Sequence, residues 1–344
     1  MAGCVRRQVI EIRAYVLTRY GGADAMELRE VPEPVPGDGQ VLIRVRAAGL
    51  NPVDYKIRQG QLRPITRLRL PIVAGSELSG VVEGLGDGVS GFAVGDRVFA
   101  RVDKRRLGAY APLAVVDQSY VANMPRALGF ADAAGLPLAG LTALQALRDE
   151  LNVTPGNRVF ISGGAGGVGT LAIQIASHLG AAVATTASPR GEELVRSLGA
   201  DTVIDYREQR FADVLRDYDA AFDLTGGRDL TDCFAILKPG ATTVSIAGVP
   251  EPTTARVDLD AGPLLTAALW AASAKIRRRA RRHGVRYRYL FMHPSGPDLA
   301  ELARLVDAGK LRTVTDRVFP FDDIAEAFAH LERGHAKGKV IVQW

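Results

Sequence analysis

Hydrophobic and polar residues follow two different periods along the chain, and the period changes near Asp132. Before that point, short apolar runs stand between glycine and proline residues, and within residues 40–48 the β-branched residues Val41, Ile43 and Val45 recur at every second position. A period of two is typical of strands with one buried face. No helical period dominates residues 12–130, so we predict a small β-barrel-like domain there.

Beyond Asp132, helical periods alternate with short runs of β-branched residues. An alanine- and leucine-rich helix is predicted at 133–147, with a break near Pro137, and one continuous helix at 264–282. Further helices are predicted at 192–198, 211–216, 231–237, 297–308 and 323–333, and strands at 182–186, 202–205, 220–224, 242–247, 285–292 and 339–342. This alternation predicts a doubly wound parallel sheet, and therefore an α/β fold class.

Residues 159–169 join a predicted buried strand to a glycine-rich turn. Gly164, Gly166 and Gly169 satisfy the pattern G-x-G-x-x-G, and residues 170–179 have the apolar spacing of a helix packed on a sheet. A strand, a glycine turn and a helix N-terminus together present backbone N–H groups and a helix dipole to a pyrophosphate. A second strand follows at once, so we predict a dinucleotide site rather than a structural turn.

The end of that second strand favours NADP(H). The NAD form of this fold usually ends the strand in Asp or Glu, which binds the ribose 2′-hydroxyl, whereas residues 185–190 are Thr-Thr-Ala-Ser-Pro-Arg, with no acid before Glu192. A hydroxyl and a guanidinium would bind a 2′-phosphate, which a carboxylate would repel. Ser188 also fits the N-cap of the next helix, with Pro189 in its first turn, and the two roles are compatible.

Composition narrows the class of protein. The chain has 344 residues, 47% hydrophobic and 24% charged, which is enough for a large core and two domains. No run of about 18 apolar residues occurs, and the first ten residues lack the apolar core of a signal peptide. The two cysteines, Cys4 and Cys233, have no metal or redox spacing. We expect a cytoplasmic protein without a membrane partner, whose first ten residues form a loose tail.

A basic run contributes much of the positive charge. The net charge is +5, and residues 275–288 contain eight lysine and arginine residues. Such a run can follow the phosphates of a nucleic acid. Because arginine is abundant throughout the chain, we favour a solvated helix face, and nucleic-acid binding is the minor alternative.

Seven motifs, spread from the N-terminal strands to the C-terminus, identify a family. Beside the glycine turn they are residues 49–56 (Gly-Leu-Asn-Pro-Val-Asp-Tyr-Lys), 75–77 (Gly-Ser-Glu), 94–98 (Val-Gly-Asp-Arg-Val), 139–143 (Ala-Gly-Leu-Thr-Ala), 198–206 (Leu-Gly-Ala-Asp-Thr-Val-Ile-Asp-Tyr) and 336–340 (Ala-Lys-Gly-Lys-Val). With these motifs the chain resembles the zinc-free quinone oxidoreductase branch of the medium-chain dehydrogenase/reductases, which includes zeta-crystallin-like proteins and alkenal or enone reductases.

The resemblance implies a fold and its boundaries. We expect a GroES-like β-barrel catalytic domain at residues 1–133, to which residues 300–344 return, and a doubly wound Rossmann domain at residues 134–299. The substrate cleft would lie between the two. A homodimer is also implied, through edge strands of the Rossmann sheets near residues 285–292.

The residues at the zinc positions predict metal-free chemistry. Zinc-dependent relatives have a cysteine where this chain has Asn51 and a histidine where it has Ser76. Their structural zinc loop has no counterpart, since no cysteine lies between Cys4 and Cys233. Asn and Ser without Cys or His nearby make a poor tetrahedral zinc site. We therefore predict no metal ligands.

By resemblance, a set of residues surrounds the cofactor. Gly166, Gly167 and Val168 would bind pyrophosphate, and Asn51 would contact the nicotinamide half. The full predicted cofactor set is Asn51, Thr142, Gly164, Ala165, Gly166, Gly167, Val168, Ser188, Arg190, Tyr206, Ala247, Gly248, Val249, Phe291, Met292 and Lys339. Ser188, Arg190 and Tyr206 would surround the 2′-phosphate, although several relatives have a lysine where this chain has Gly191.

Lys56 and Tyr55 are the predicted catalytic residues, since they follow Asn51 toward the cleft. An ammonium or a phenol could stabilise an enolate oxygen and donate a proton. The alternatives are that Lys56 is a surface lysine and that water supplies the proton. Asp54 is expected to cap the helical turn that follows.

Together these features predict an NADPH-dependent, zinc-independent reductase of a quinone or an activated α,β-unsaturated carbonyl. Such acceptors carry their own electron sink, so positioning supplies much of the rate. One alternative is a pathway-specific enoyl reductase of a polyketide-type intermediate. Arg63, Arg67 and Arg69, or Lys104, Arg105 and Arg106, could then bind a phosphopantetheine carrier, although solvated loops explain these residues equally well. Another is a non-catalytic NADPH-binding protein with an RNA or protein partner.

Overall fold

The computed structural model describes residues 10–66 and 68–344, and the first third of the chain forms mainly strands. The strands are β1 (Glu11–Leu17), β2 (Met26–Pro32), β3 (Gln40–Leu50), β4 (Ile72–Val73), β5 (Glu77–Leu85), β6 (Arg97–Arg101), β7 (Leu113–Asp117) and β8 (Val121–Asn123). Two short helices, α1 (Pro52–Arg58) and α2 (Arg63–Thr66), interrupt them. Apart from Ile10, the predicted N-terminal tail lies outside the described residues.

The remainder alternates helices with strands. From residue 130 the elements are α3 (Phe130–Ala134), α4 (Pro137–Leu144), β9 (Arg158–Ile161), α5 (Gly167–His178), β10 (Ala182–Ala187), α6 (Pro189–Ser197), β11 (Thr202–Asp205), α7 (Phe211–Val214), β12 (Tyr218–Asp223), α8 (Gly227–Ile236), β13 (Leu237–Ser245), α9 (Pro263–Ala272), α10 (Ala274–Arg282) and β14 (Arg286–Tyr289). The C-terminal elements are α11 (Gly296–Asp307), β15 (Thr315–Pro320), α12 (Ile324–Glu332) and β16 (Lys339–Gln343).

Six parallel strands form the sheet of the second unit, in the order β11-β10-β9-β12-β13-β14. The chain builds the sheet outward from β9 to β11 on one side and then from β12 to β14 on the other side, which is the doubly wound arrangement. The central strands are apolar on both faces, and Phe160, Ile161 and Phe222 are fully buried. Helices pack on both faces, since Ile161 lies in one apolar cluster with residues of α5 and Phe160 lies in another with residues of α8. The predicted α/β fold with a Rossmann-type sheet is therefore confirmed.

The C-terminal strands join the first unit. A seven-stranded sheet has the order β15-β16-β3-β5-β6-β8, with β7 also on β3, and a smaller sheet has the order β2-β1-β4. Strand β16 runs antiparallel to β3, with Val340 opposite Leu50. Helix α11 (Gly296–Asp307) spans the predicted domain boundary at 299/300. The predicted boundaries 133/134 and 299/300 stay a proposal.

Several predicted elements differ from the structure. The single helix predicted at 264–282 is wrong: it is two helices that meet at Ser273, whose buried hydroxyl donates to the Leu269 carbonyl (2.6 Å) and turns the chain. Strand 285–292 shortens to β14. The helix at 133–147 breaks at Pro137 as predicted and continues into a π-helical turn, Gln145–Glu150. Strands β2 and β15 were not predicted, because they lack a clear period, and α1 was predicted only as a helical turn capped by Asp54.

Within the described ranges, no helix combines the length and the apolar character that crossing a bilayer requires.

Candidate active site

The glycine turn lies between β9 and α5, where each glycine has a different steric reason. Gly163 has φ +64°, in the left-handed region. A Cβ at Gly164 would overlap the hydroxyl of Thr185 on β10, and one at Gly169 would overlap the Gly163 carbonyl. These glycines let the turn pack on the sheet. Gly166, the N-cap of α5, has only the Gly163 carbonyl within reach of a Cβ, at 3.4 Å, so its outer side is open.

The C-terminal segment lies directly against this turn. Gly338 forms an isolated parallel bridge with Gly166, and its N–H donates to the Ala165 carbonyl (3.0 Å). A Cβ at Gly167 would lie 3.0 Å from Cδ of Lys339. The turn, which would hold a pyrophosphate, and the Lys339 side chain are therefore neighbours, as the prediction that Lys339 reaches the cofactor requires.

The predicted 2′-phosphate residues gather at one edge of the sheet. Ala187 at the end of β10 lies opposite Asp205 at the end of β11, so Ser188 and Tyr206 follow paired residues. Ser188 is the N-cap of α6, but its side chain makes no capping hydrogen bond. Tyr206 is 59% exposed, and Arg190 is exposed on the first turn of α6. Two hydroxyls and a guanidinium are thus presented together.

Gly191 is closed to a larger side chain. It is buried, and a Cβ there would lie 3.0 Å from Cβ of Ala165. The lysine that several relatives carry at this position would therefore need a shifted turn. The Arg190 carbonyl accepts a hydrogen bond from the Lys337 ammonium, so a lysine from the C-terminal segment is present near this edge instead.

A buried polar cluster stands where zinc-dependent relatives hold their metal. Asn51 is the N-cap of α1, and its Nδ2 donates to Glu77 Oε1 (2.7 Å). The Lys339 ammonium donates to the same Glu77 oxygen (2.8 Å), to Asn51 Oδ1 and to the Leu50 carbonyl (3.3 Å). Glu77 Oε2 accepts from the Leu138 N–H (2.6 Å). Glu77 is fully buried, and both of its carboxylate oxygens accept hydrogen bonds, which offsets the free-energy cost of burying a charged group.

A second layer of polar residues supports this cluster. The buried carboxylate of Asp54 accepts from the Asn51 N–H (2.9 Å), from the Tyr110 hydroxyl (3.1 Å) and from the Ser76 hydroxyl. Burial raises the pKa of Asp54, and burial together with Asp54 raises the pKa of Tyr110 well above its usual value. Asp54 closes the first turn of α1, as expected.

The predicted nicotinamide-pocket residues lie beyond the ends of β13 and β14. The Ser245 hydroxyl accepts from the N–H groups of Ala247 (3.1 Å) and Gly248 (2.9 Å), and the Val249 carbonyl accepts from the Tyr287 hydroxyl (2.8 Å). These bonds hold residues 247–249 in a tight turn. Thr142 is buried on α4, where its hydroxyl donates to the Leu138 carbonyl (2.7 Å).

Phe291 has a partner from the β-domain. The Lys104 ammonium lies 4.8 Å from the centre of the Phe291 ring and donates to the Asp258 carbonyl (2.7 Å). The Asp258 carboxylate in turn accepts from the Phe291 N–H (2.9 Å) and pairs with Arg288 (2.6 Å). Burial lowers the pKa of Lys104 and raises that of Asp258. Lys104 therefore bridges the two units beside the predicted nicotinamide pocket.

Tyr55 and Lys56 are not part of the buried cluster. Tyr55 is half-buried against the β-domain core, and burial together with the Glu332 carboxylate raises its pKa. Lys56 is half-buried on α1. No hydrogen bond within the described residues joins either side chain to Asn51, Glu77 or Lys339. Their catalytic roles stay a prediction.

Sequence reasoning missed two contributors to this site. The sequence marks Glu77 only as part of a motif, and Lys104 only as one of the basic residues that could bind a phosphopantetheine carrier. A signal for Glu77 was present, because an acid inside the apolar run of β5 needs a buried cationic partner. Lys104 carries no such signal, since its contact with Phe291 depends on how the two units pack.

The described residues contain no group of three or more His, Cys, Asp or Glu side chains with the geometry of a metal site.

Comparison with known proteins identifies the family. A family model described as "Alcohol dehydrogenase GroES-like domain" matches residues 37–126, and one described as "Zinc-binding dehydrogenase" matches residues 198–342. The chloroplastic NADPH-dependent alkenal/one oxidoreductase of Arabidopsis thaliana is 36% identical over 344 residues, which is 96% of this chain and 79% of that protein. The chain belongs to the quinone and enone oxidoreductase branch of the medium-chain dehydrogenase/reductases. The match that names zinc does not include Asn51 or Ser76, on which the prediction of metal-free chemistry rests.

Solved structures of medium-chain dehydrogenase/reductases have the same fold. The quinone oxidoreductase from Coxiella burnetii superposes with a TM-score of 0.83 at 32% identity, over 97% of this chain and 100% of that one. A mycobacterial protein, Rv1454c, solved in complex with NADPH, gives a TM-score of 0.81 at 28% identity, over 97% and 100% of the two chains. The GroES-like and Rossmann units predicted from the sequence are thereby confirmed as the fold class.

Proposed function

We propose that the protein is an NADPH-dependent, zinc-independent reductase of a quinone or an activated α,β-unsaturated carbonyl. The supporting relatives are named as an NADPH-dependent alkenal/one oxidoreductase and as quinone oxidoreductases. The observation that carries the proposal is the junction of the glycine turn with the Asn51–Glu77–Lys339 cluster, made by the Gly166–Gly338 bridge. The turn predicted to bind the cofactor and the buried polar cluster are thus neighbours.

The residues at the turn fit NADP(H). The open side of Gly166, at the N-terminus of a 12-residue helix, suits a pyrophosphate, because only hydrogen atoms project there. Beyond the ends of β10 and β11, Ser188, Arg190 and Tyr206 offer hydroxyls and a cation where an NAD site has a carboxylate. A relative solved with NADPH also supports this choice. Asn51, Thr142, residues 247–249, Phe291 and Lys339 would hold the nicotinamide half.

The chain's own residues would orient the acceptor and manage charge. When bound, NADPH supplies the hydride, and a quinone or enone accepts it without a Lewis acid, because its own carbonyl takes up the charge. The cationic groups near the cleft would stabilise the oxygen that becomes negative. Lys56 and Tyr55 stay candidates for this role and for proton donation, and the structure adds Lys104, which lies over Phe291.

An acceptor panel tests the proposal. NADPH oxidation is followed with a naphthoquinone, an alkenal, a cyclic enone and a simple ketone, with NADH and with EDTA in separate arms. We expect turnover of a quinone or enone with NADPH, unchanged by EDTA, and none of the simple ketone. NADPH binding without turnover of any acceptor would contradict the reductase proposal and favour a binding protein. Loss of activity in EDTA would contradict zinc independence.

Three variants separate the proton-donor candidates in the same assay. Lys56→Met, Tyr55→Phe and Lys104→Met each remove one donor while keeping much of the side-chain volume. Removal of the true proton donor should lower kcat about 10²- to 10⁴-fold with little change in the Kd for NADPH. If none of the three lowers kcat, water supplies the proton. A pathway-specific enoyl reductase would be indicated instead by activity on an enoyl thioester far above that on the panel.

We also propose a homodimer and a cytosolic location. Strand β14 is the last strand of its sheet among the residues described, where no other strand pairs with its outer edge, so this edge could pair with the same strand of a second copy. Sedimentation equilibrium tests the dimer, and a monomer at all concentrations would contradict it. Cell fractionation tests the location.

A further inference from the structure

Helix α9 presents apolar residues to solvent along its whole length. Its sequence is Pro-Leu-Leu-Thr-Ala-Ala-Leu-Trp-Ala-Ala, and none of its residues is buried. Leu264 is 87% exposed and Trp270 is 59% exposed. A helix of an α/β protein normally packs its apolar face on the sheet, and exposed contiguous apolar surface marks an interaction site.

Helix α10 follows at once and is strongly basic. Its exposed side chains are Lys275, Arg278, Arg279, Arg281 and Arg282. Within the residues described, none of these five lies within ion-pair distance of a carboxylate. The reason is visible in the sequence, because residues 261–297 contain eight lysine and arginine residues and no aspartate or glutamate. The positive charge of α10 is therefore uncompensated by its own chain.

The apolar and basic helices meet at one aromatic residue. The Arg277 guanidinium lies 5.4 Å from the centre of the Trp270 ring and donates to the Trp270 carbonyl (2.7 Å). It also donates to the Ser273 hydroxyl (3.0 Å), at the junction of the two helices. Indole beside guanidinium, with leucine on one side and arginine on the other, is the pattern of residues that lie at a membrane–water interface.

We propose that this surface, Pro263–Ala272 with Ala274–Arg282, binds the face of an anionic lipid membrane. Arginines attract anionic headgroups, and exposed leucine and tryptophan enter the acyl boundary, so the two helices have complementary parts of one ligand. A nucleic acid would engage the arginines and leave α9 in water. A second copy on the same surface would bring two basic helices together. The proposal departs from the expectation of no membrane partner, which rested on the lack of a spanning segment and of a signal-peptide core.

Vesicle co-sedimentation tests the proposal with the full chain. The vesicles contain phosphatidylcholine alone or mixed with phosphatidylglycerol, at low and at high salt. We expect binding to the mixed vesicles only, and a steep loss with salt. Neutralising Arg278, Arg279, Arg281 and Arg282 to glutamine should weaken binding more than about a hundredfold, since each residue contributes about fivefold. Leu264→Asp should weaken it separately by removing apolar insertion.

A matched control carries the same change of charge elsewhere. Arg46, Arg126, Arg304 and Lys310 are exposed outside this surface, and their replacement by glutamine should leave vesicle binding within about fivefold. An equal loss in this control would overturn the proposal, because net charge alone would then explain the binding. Binding that is unaffected by Leu264→Asp and is stronger for RNA than for the mixed vesicles would overturn it in favour of a nucleic acid.

Fluorescence reports insertion directly. The chain has two tryptophans, and Trp344 stacks on Phe321 (4.3 Å) away from this surface. In a Trp344→Phe variant, we expect mixed vesicles to shift the Trp270 emission to the blue. An unshifted emission in bound protein, or burial of Trp270 on dimerisation in the absence of lipid, would overturn the proposal. Neither measurement requires turnover, so failure of the proposed reductase activity is distinguished from failure here.

Discussion

The Lys339 ammonium and the Glu77 carboxylate form a buried ion pair, 2.8 Å long, that joins the last strand of the chain to β5. Their side chains are 6% and 0% exposed. Lys339 also contacts the glycine turn through its aliphatic part, and Glu77 holds Asn51 and the N-terminus of α4. One pair therefore links the turn, the buried polar cluster and the C-terminal return, and we expect both stability and cofactor binding to depend on it.

Glu77→Ala should destabilise the protein strongly. The variant leaves the Lys339 ammonium, the Asn51 amide and the Leu138 N–H without their shared acceptor, and breaking a buried pair costs about 3–5 kcal/mol. Urea unfolding measures the loss. The control is Lys238→Ala, which breaks the exposed 2.6 Å pair with Asp219 and should cost less than about 1 kcal/mol. Similar losses of unfolding free energy in the two variants would show that the buried Glu77–Lys339 pair stabilises the protein no more than an exposed pair does.

Arg190→Ala should change the choice of cofactor. If the guanidinium binds the 2′-phosphate, its loss should lower kcat/KM for NADPH about 10- to 100-fold and leave the NADH value unchanged. Steady-state kinetics with both cofactors give the result. Arg196→Ala on the same helix, where the arginine pairs with Glu192 (2.9 Å), should affect neither cofactor. Equal losses with NADPH and NADH would remove Arg190 from the 2′-phosphate site.

Two glycines of the turn should respond differently to alanine. Gly164→Ala places a Cβ on the Thr185 hydroxyl and should destabilise the fold by about 1–3 kcal/mol. In Gly166→Ala the new Cβ meets only the Gly163 carbonyl, at 3.4 Å, so the free energy of unfolding should stay within about 0.5 kcal/mol of the parent value. Its methyl group would, however, occupy the pyrophosphate position and weaken NADPH binding more than about tenfold.

Thermal unfolding and NADPH titration of both glycine variants test this difference. Gly129→Ala, at a glycine with open space around its Cβ position, is the control for both measurements. Unchanged NADPH affinity in Gly166→Ala would place the pyrophosphate elsewhere.

Cys233 should be chemically inert until the protein unfolds. Burial, followed by the neighbouring Asp223, raises the pKa of this thiol well above its usual value, which disfavours the reactive thiolate in the folded state. In a Cys4→Ser background, iodoacetamide should label the protein only in denaturant. Rapid labelling of the folded protein would contradict the burial.

The same shift has a consequence for stability. A raised pKa stabilises the folded state at low pH, and that contribution is lost as the pH rises above the unfolded value of about 8.5. The free energy of unfolding should therefore fall between pH 8 and 10, and Cys233→Ala should flatten part of this fall. A parallel fall in both proteins would assign the effect to other groups.

The local sequence pattern was sufficient to predict most helices and strands of the Rossmann unit. Residues 158–187 carry a buried strand, a glycine turn whose spacing has steric meaning, and a helix, and each of these is decided by neighbours a few positions away. The absence of an acid after β10 is likewise a local fact, and the structure adds that Ser188 and Tyr206 follow paired strand ends. Local patterns failed where a single side chain, Ser273, divides a continuous helical period.

By itself, the sequence determined the fold class, the dinucleotide turn and the residue types that replace zinc ligands, because these depend on periodicity and on residue identity. Only the tertiary structure decided which distant residues meet. Lys339 and Glu77 are 262 positions apart, and Lys104 and Asp258 are 154 apart, so their contacts depend on how strands and units pack. The exposure of α9 was also decided by the tertiary structure, because the sequence of an apolar helix is the same whether the fold covers it or leaves it in solvent.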